Sequence, residues 1–296
     1  MLSWPDLKTR VMVRYRRPAG SVPPLTDAIG HLLQIEPSVR LRTKHGAVVE
    51  IASADVVAVR PLTDTPIRTS QIRALEHAAA LAHPGIEHRW LNGWFLRVGR
   101  GVTFTANSAV PLGVSADPGV VPDIVDWYAQ RSLLPRLALP DRLLSVPGAT
   151  EQSHRTLVRD VEVVNGDPSI ELSERPNDTW LQAHGSALPV DELTAVVEGQ
   201  VMFGTYRSTA AARAAVTDAP DQTRWVGVSA LCVTNAGRDL AAAQQLLGTL
   251  LAWGAERGAS RAYLRVADGD VTVGRIAESL DFTLHHRGRY VVAAHS

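Results

Sequence analysis

The sequence predicts an α+β chain, with a small β module first and a mixed α/β region after it. Three observations carry this expectation. Five short strand-like runs separated by turn signals fill the first 62 residues. A Pro- and Thr-rich stretch, PLTDTPIRTS from Pro61 to Ser70, then breaks the pattern and reads as a hinge. Beyond it, helical and strand periodicities alternate and lead to an apolar strand, a polar loop and a long helix from Leu231 onward.

In the N-terminal module, VMVRYR (Val11 to Arg16) alternates apolar and polar residues, as a half-buried strand does. After the loop AGSVPPL come AIGHLLQIEP, SVRLRT, HGAVVEI and ADVVAVRPL, divided by Pro, His-Gly and Ser-Asp signals. Five such strands in about sixty residues suit a small closed barrel. The order resembles SH3-like barrels, with a Lys44-His45-Gly46 hairpin turn and a short Ser53-Ala54-Asp55 turn before the last strand. Lys and Arg outnumber Asp and Glu by 9 − 5 = +4 over residues 1–62. That excess fits either a reader of acidic peptide or nucleic acid, or a solvated face of a packing module.

Next, IRALEHAAALAHPG predicts a helix closed by Pro84-Gly85. In EHRWLNGWFLRVGRGVTFTANSAVPLG, Trp94, Leu96 and Val98 alternate, and Gly99-Arg100-Gly101 predicts the turn into Val102 to Ala106. VVPDIVDWYAQRSL reads as a second helix with Pro122 in its first turn, where a missing N–H costs nothing. Leu137 to Leu139 reads as a strand, DRLLSVPGA as a short helix and HRTLVRDVEVV as a strand. VDELTAVVEGQ predicts a helix, and VMFGTYR and TRWVGVSALCV two strands joined by an Ala-rich segment. TLHHRGRYVV, at the end, reads as a hairpin turning near Gly288.

The stretch LCVTNAGRDLAAAQQLL (Leu231 to Leu247) is where chemistry is expected. A helix N-terminus presents N–H groups without intrahelical partners, and its dipole favours anions. Ala241 and Ala243 are small enough for a diphosphate to approach the backbone, and Arg238 stands at the mouth. Leu246, Leu247, Leu250, Leu251 and Trp253 continue the helix at helical spacing, with Gly258 as its stop.

This stretch resembles the acyl-coenzyme A signature of the GNAT acetyltransferases: Leu-x-Val, then Arg or Gln, two residues, Gly, one residue, Gly or Ala. Leu231, Val233, Arg238, Ala241 and Ala243 occupy those places. Ala241 replaces the first glycine, and Asp239 and Leu240 stand where basic residues are usual. Downstream, Asp270, Val273, Ile276, Ala277, Leu280, Asp281 and Phe282 match the family's next segment in spacing, with Asp270 for Asn, Ala277 for Tyr and Asp281 for Gly. A second run, Gly93-Trp94, Leu96-Arg97, Gly101, Thr103, Ala106-Asn107-Ser108 and Pro111-Leu112, is similar to the N-terminal half of tandem GNAT proteins. The whole chain looks like an actinobacterial, mycobacterial group of histone-type acetyltransferases that carries an SH3-like barrel before this pair. The resemblance therefore implies a barrel over residues 1–62, a linker over 63–70, an N-terminal GNAT-like half over 71–180 and an acyl-CoA-binding half over 181–296.

It also implies an N-acetyltransferase that uses acetyl-CoA as cosubstrate and a small-molecule amine or protein lysine as acceptor. The diphosphate cradle would be Arg238, Asp239, Leu240, Ala241, Ala242, Ala243 and Gln244; the pantetheine edge Leu231, Cys232 and Val233, with Asp270 beside the arm. Ala277 has no proton to give, so Tyr290, His285 and His286 are the candidate catalytic residues. Two other readings stay open: a catalytically silent acyl-CoA-binding regulator, motivated by Ala241 and Ala277, and an adaptor that binds peptide or nucleic acid through the basic barrel.

Composition bounds these readings. The 296 residues are 45% hydrophobic, with 30 Lys and Arg against 30 Asp and Glu, so a globally basic nucleic-acid binder is not indicated. The lone Cys232 forms no intrachain disulfide, and the ten His form no ligand-spaced cluster for a metal. No run approaches eighteen apolar residues, which leads to the expectation of a cytoplasmic protein without membrane partners. Association into a homo-oligomer stays open.

Overall fold

The computed structural model describes all residues except 1–3, 45, 63–66, 101–102, 186–188, 235–239 and 294–296. Residues 1–66 and 67–296 form two separate units.

The first unit is one antiparallel five-stranded sheet in the order β4-β3-β2-β1-β5. Its strands are β1 (Arg10–Arg16), β2 (Leu25–Gln34), β3 (Ser38–Arg42), β4 (Val48–Ala52) and β5 (Val56–Pro61). A single 3₁₀ turn over Ser53–Asp55 leads into β5. The predicted alternation places Val11, Val13, Leu32, Val39, Leu41 and Ile51 in a closed apolar core. Outside it, Arg14 pairs with Asp27 at 2.8 Å across β1 and β2.

The second unit opens with α1 (Thr69–Ala82), whose first turn is held by the Arg68 N–H donating to Gln71 Oε1 at 2.8 Å. Pro84 prevents its continuation. A small sheet follows, made of β6 (Glu87–Leu91), β7 (Trp94–Val98) and β8 (Val110–Pro111). The hairpin of β6 and β7 turns at Asn92-Gly93, with φ of 45° and 85°, and the expected turn at Gly99-Arg100-Gly101 falls partly outside the described residues. Asn-Gly tolerates two successive positive φ angles, which is the turn that matches strand twist. Residues 104–107 form a turn and bend rather than the expected strand, and Gly101 and Val102 lie outside the described residues.

Then come α2 (Val121–Ala129), β9 (Arg136–Pro140), β10 (Ala149–Asp160), β11 (Glu171–Ser173), α3 (Asp178–His184) and α4 (Val190–Thr194). The chain continues through β12 (Gln200–Tyr206), β13 (Ala210–Asp218), β14 (Arg224–Val233), α5 (Leu240–Glu256), β15 (Arg261–Ala267), α6 (Val271–Ser279) and β16 (Thr283–Val292). Residues 141–148 hold only a turn where a helix was expected. The expected terminal hairpin is one continuous strand, β16, because it pairs along its length with β10 and β9.

These strands build an eight-stranded sheet in the order β11-β12-β13-β14-β15-β10-β16-β9. Every pairing is antiparallel except β14 with β15, whose parallel connection runs through α5. The segment 136–160 thus supplies strands to the same sheet as the residues after 200, with β10 lying between β15 and β16.

The Ala-rich segment AAARAAVTD is itself the strand β13, buried on both faces. Ala210, Ala212 and Ala214 pack with α5, whereas Ala211 packs with α3. Only small side chains admit helices this closely on both sides, so the strand lacks the usual β-branched run. Leu246, Leu247 and Leu250 of α5 are fully buried; each such leucine contributes about 1.5–3 kcal/mol relative to exposure. Gly254 lets α5 rest on Val226, since a Cβ there would fall 2.5 Å from that side chain. Gly258 ends the segment at φ +83°, as expected of a helix stop.

Candidate active site

Strands β14 and β15 run in register only from Trp225 and Arg261 to Val228 and Leu264. Beyond that point β14 continues to Val233 and β15 to Ala267 without pairing with each other. The register of β14 with β13 shifts in the same place, between Ala211 and Arg213, and Ala230 takes φ 50°. From Ser229 onward β14 therefore has a strand neighbour on one side only among the described residues. Its other edge leaves backbone N–H and C=O groups without a strand partner, the usual template for an extended, amide-bearing ligand. Leu231, Cys232 and Val233 lie on this stretch and are half-buried; Cys232 is a free thiol.

Helix α5 starts at Leu240, after the strand edge. Leu240 packs against the sheet core, Ala241 is exposed and Gln244 is half-buried. Ala242 and Ala243 are buried, so they offer a ligand their backbone and not their side chains. Arg238 and Asp239 lie outside the described residues. Asp270 caps α6, its Oδ1 accepting the Val273 N–H at 3.0 Å. Ala277 faces the core with no exposed surface.

The opposite face of the sheet carries an unusual row of polar side chains. Arg213 stands opposite Ser229, Arg265 opposite Thr156, and Thr156 opposite His286, across β13, β14, β15, β10 and β16. Helix α1 covers this row. Its buried Glu76 accepts from Arg265 Nη2 at 2.6 Å and faces His286 Nε2 at 2.9 Å. Burial alone would raise the Glu76 pKa, but Arg265 and His286 outweigh it and hold the carboxyl well below its usual range. With Glu76 ionised, His286 Nε2 is the donor of that bond.

Arg213 is buried and has no carboxylate partner among the described residues. Its Nε donates to Leu193 O at 2.6 Å, its Nη2 to Ala82 O at 2.9 Å and Ala195 O at 3.0 Å, and its Nη1 to His83 Nε2 at 3.1 Å. Burial lowers its pKa to about 10. His83 Nε2 also lies 3.0 Å from Ser229 Oγ. Burial, with Arg213, Arg265 and Arg97 nearby, pushes the His83 pKa well down, so the ring is neutral. Arg97 is likewise buried among neutral acceptors: Ser108 O at 3.2 Å, Ser108 Oγ at 2.9 Å and His83 O at 3.4 Å. Asn107 closes the neighbouring loop, accepting from the Gly99 N–H at 2.9 Å and donating to Thr103 O at 2.9 Å. The Arg97 and Asn107-Ser108 positions of the sequence motif thus meet in space.

A cavity of about 340 Å³ opens between these groups, with His83, Thr105, Glu192, Arg213, Ser229 and Ala230 in its wall. It reaches the point where β14 leaves β15. Tyr290 borders it at one remove: its hydroxyl lies 3.2 Å from Thr105 Oγ1, and its ring packs between Phe104 and His154. His285 and His286 do not line it. They are buried, with their Nδ1 atoms 2.8 Å apart. Burial and the neighbouring His286 lower the His285 pKa to about 3.

Glu76, His83, Arg97, Arg213, Arg265 and Ser229 were not singled out as site residues in the sequence. One signal existed: Arg213 and Arg265 are single charges inside the apolar strands AAARAAV and AYLRVA, and Glu76 interrupts an Ala- and Leu-rich helix. A charge in a run that must be buried needs a partner or a purpose.

Residues 69–291 match the family model "Probable histone acetyltransferase Rv0428c C-terminal", and residues 5–60 match "Rv0428c N-terminal Sm-like domain". The chain is 54% identical over 296 residues to "Probable histone acetyltransferase Rv0428c" of Mycobacterium tuberculosis, covering 99% of this chain and 97% of that protein. Among solved structures it is similar to a GCN5-related N-acetyltransferase from Kribbella flavida, with a TM-score of 0.54 and 15% identity, over 78% of this chain and 98% of that one. A GNAT-family acetyltransferase from Novosphingobium aromaticivorans gives a TM-score of 0.51 and 16% identity, over 74% and 97%. Both likenesses are to the GNAT fold.

Proposed function

The chain belongs to the Rv0428c histone acetyltransferase family, a GNAT-type group with an N-terminal Sm-like barrel, and on that premise we propose that it transfers the acetyl group of acetyl-CoA to a primary amine by direct attack. The observation that carries this reading is the parting of β14 from β15 after Val228 and Leu264. Leu231, Cys232 and Val233 offer backbone groups along that edge to the amides of the pantetheine arm. The beginning of α5, with the exposed Ala241, offers backbone N–H groups to the diphosphate. When bound, the thioester supplies an activated acyl group and a thiolate leaving group.

The side chains of this protein have three tasks there. Ser229 and Ala230 border both the strand edge and the cavity, so an amine in the cavity faces the thioester end of the arm. Arg97 places positive potential beside that point, which favours charge developing on oxygen or sulfur. Tyr290, through Thr105 at the cavity wall, is the candidate acid in place of the missing tyrosine at position 277. Asp270 is engaged as a helix cap, and its contact with the arm would be through its second carboxylate oxygen.

Titration of the full chain with acetyl-CoA by calorimetry should show one site per chain, and thiol release should follow on adding an amine acceptor. Binding without thiol release across a broad amine panel would favour the silent acyl-CoA binder. Failure to bind acetyl-CoA would remove both readings.

A further inference from the structure

Two charges face the same cavity without a hydrogen-bonded opposite charge among the described residues. Arg213 is 1% exposed and uses four of its five N–H groups on neutral acceptors, three of them backbone carbonyls. The remaining Nη1–H has no partner among the described residues. Glu192, in the same wall, accepts hydrogen bonds only from neutral donors among the described residues, the Arg100 N–H on Oε2 at 2.8 Å and the Thr103 hydroxyl on Oε1 at 3.0 Å, and feels the Arg100 guanidinium only through space. The Arg100 guanidinium is turned instead to Asp191. Glu192 and Arg213 are adjacent in the fold, since Leu193 O accepts from Arg213 Nε, yet they do not pair with each other.

A buried guanidinium without a counter-charge is costly, and substitutions would relieve that cost unless a ligand supplies the anion. The neighbourhood makes the need greater. Arg97 adds a second buried guanidinium without a carboxylate, and the neutral His83 offers no negative charge between them. Among the described buried groups around the cavity, Glu76 is a carboxylate, and it is already taken by Arg265 and His286.

We infer that the cavity binds a dipolar small molecule, an amino-carboxylic acid whose carboxylate meets Arg213 and whose ammonium meets Glu192. This rests on the reading of the cavity as the acceptor site. Its volume, about 340 Å³, is at the small end of ligand pockets, about 300–1,000 Å³. A lysine side chain of a protein would satisfy Glu192 and leave Arg213 as it is. A free amino acid satisfies both.

The test changes the ligand first, so folding is not at issue. The full chain, with and without CoA, is titrated with a panel of free amino acids and diamino acids, with their carboxamides and with the decarboxylated amines. At least one amino acid should bind, and its amide and amine should bind at least about thirtyfold more weakly, as expected when one member of a buried charge pair is removed. Glu192→Gln should weaken the same amino acid and leave acetyl-CoA affinity unchanged. Equal binding of amino acid and amide would overturn the inference, as would binding of a histone-tail peptide while every free amino acid fails. In either case, intact acetyl-CoA binding would keep the acetyltransferase reading. If acetyl-CoA fails to bind but an amino acid binds with the stated discrimination, the site is dipolar and that reading falls instead.

Discussion

Arg213 donates its Nη1–H to Nε2 of His83 at 3.1 Å, so a cation is hydrogen-bonded to the acceptor nitrogen of a neutral imidazole. With that nitrogen accepting from a guanidinium, the proton of the neutral ring sits on Nδ1. Protonating His83 would put two cations face to face in a buried site.

That relationship has a pH consequence. His154 and His285 have pKa values lowered to about 3, mainly by burial, and His83 is lowered too. Unfolded histidines titrate near about 6.5. Below that pH the unfolded chain binds protons that the folded chain refuses, so stability falls as pH drops from about 6.5 toward the folded values. The loss is on the order of 2 kcal/mol for each of His154 and His285 by pH 5. Glu76, whose pKa is lowered, adds a further loss only below the ordinary carboxylate range. Urea midpoints measured from pH 7.5 to 5 should fall steadily; a flat profile would show that these rings protonate in the folded state.

Glu76→Gln keeps the shape and removes the charge shared by Arg265 and His286. It leaves Arg265 buried without its carboxylate, which costs about 3–5 kcal/mol. Chemical denaturation should register a loss of that size. A change below about 1 kcal/mol would mean that the network is open to water.

Ala241 is exposed at the start of α5, so Ala241→Glu should fold normally. Its carboxylate would oppose a diphosphate at the helix N-terminus, and acetyl-CoA affinity should drop about tenfold or more, a larger effect at low salt. Unchanged affinity would place the diphosphate elsewhere.

Tyr290→Phe keeps the ring between Phe104 and His154 and removes the hydroxyl that meets Thr105. If Tyr290 is the acid, turnover should fall about a hundredfold to ten-thousandfold, with acetyl-CoA affinity unchanged. An unaltered rate would leave protonation to another group or to water.

The strands of the barrel and the long helix α5 are readable in the chain because one face of each is apolar at a regular spacing. Val11 and Val13 show it for β1, and Leu246, Leu247 and Leu250 for α5. The hairpin at Asn92-Gly93 is readable too, since Asn-Gly is the dipeptide that its two positive φ angles favour. β13 hid because its alanines carry no strand signature; only the helices on both faces explain them. The polar row hid for another reason. Arg213, Ser229, Arg265 and His286 lie up to 73 residues apart in sequence, and strand register alone brings them together under Glu76.

The central claim is that the free edge of β14 receives the acyl-CoA arm. Amide hydrogen exchange over Ser229–Val233, with and without acetyl-CoA, tests it most directly. The amides of this stretch that face away from β13 should slow on binding, while Trp225–Val228, already paired with β13 and β15, should stay as they are. Saturating acetyl-CoA that leaves exchange at Ser229–Val233 unchanged would contradict the account.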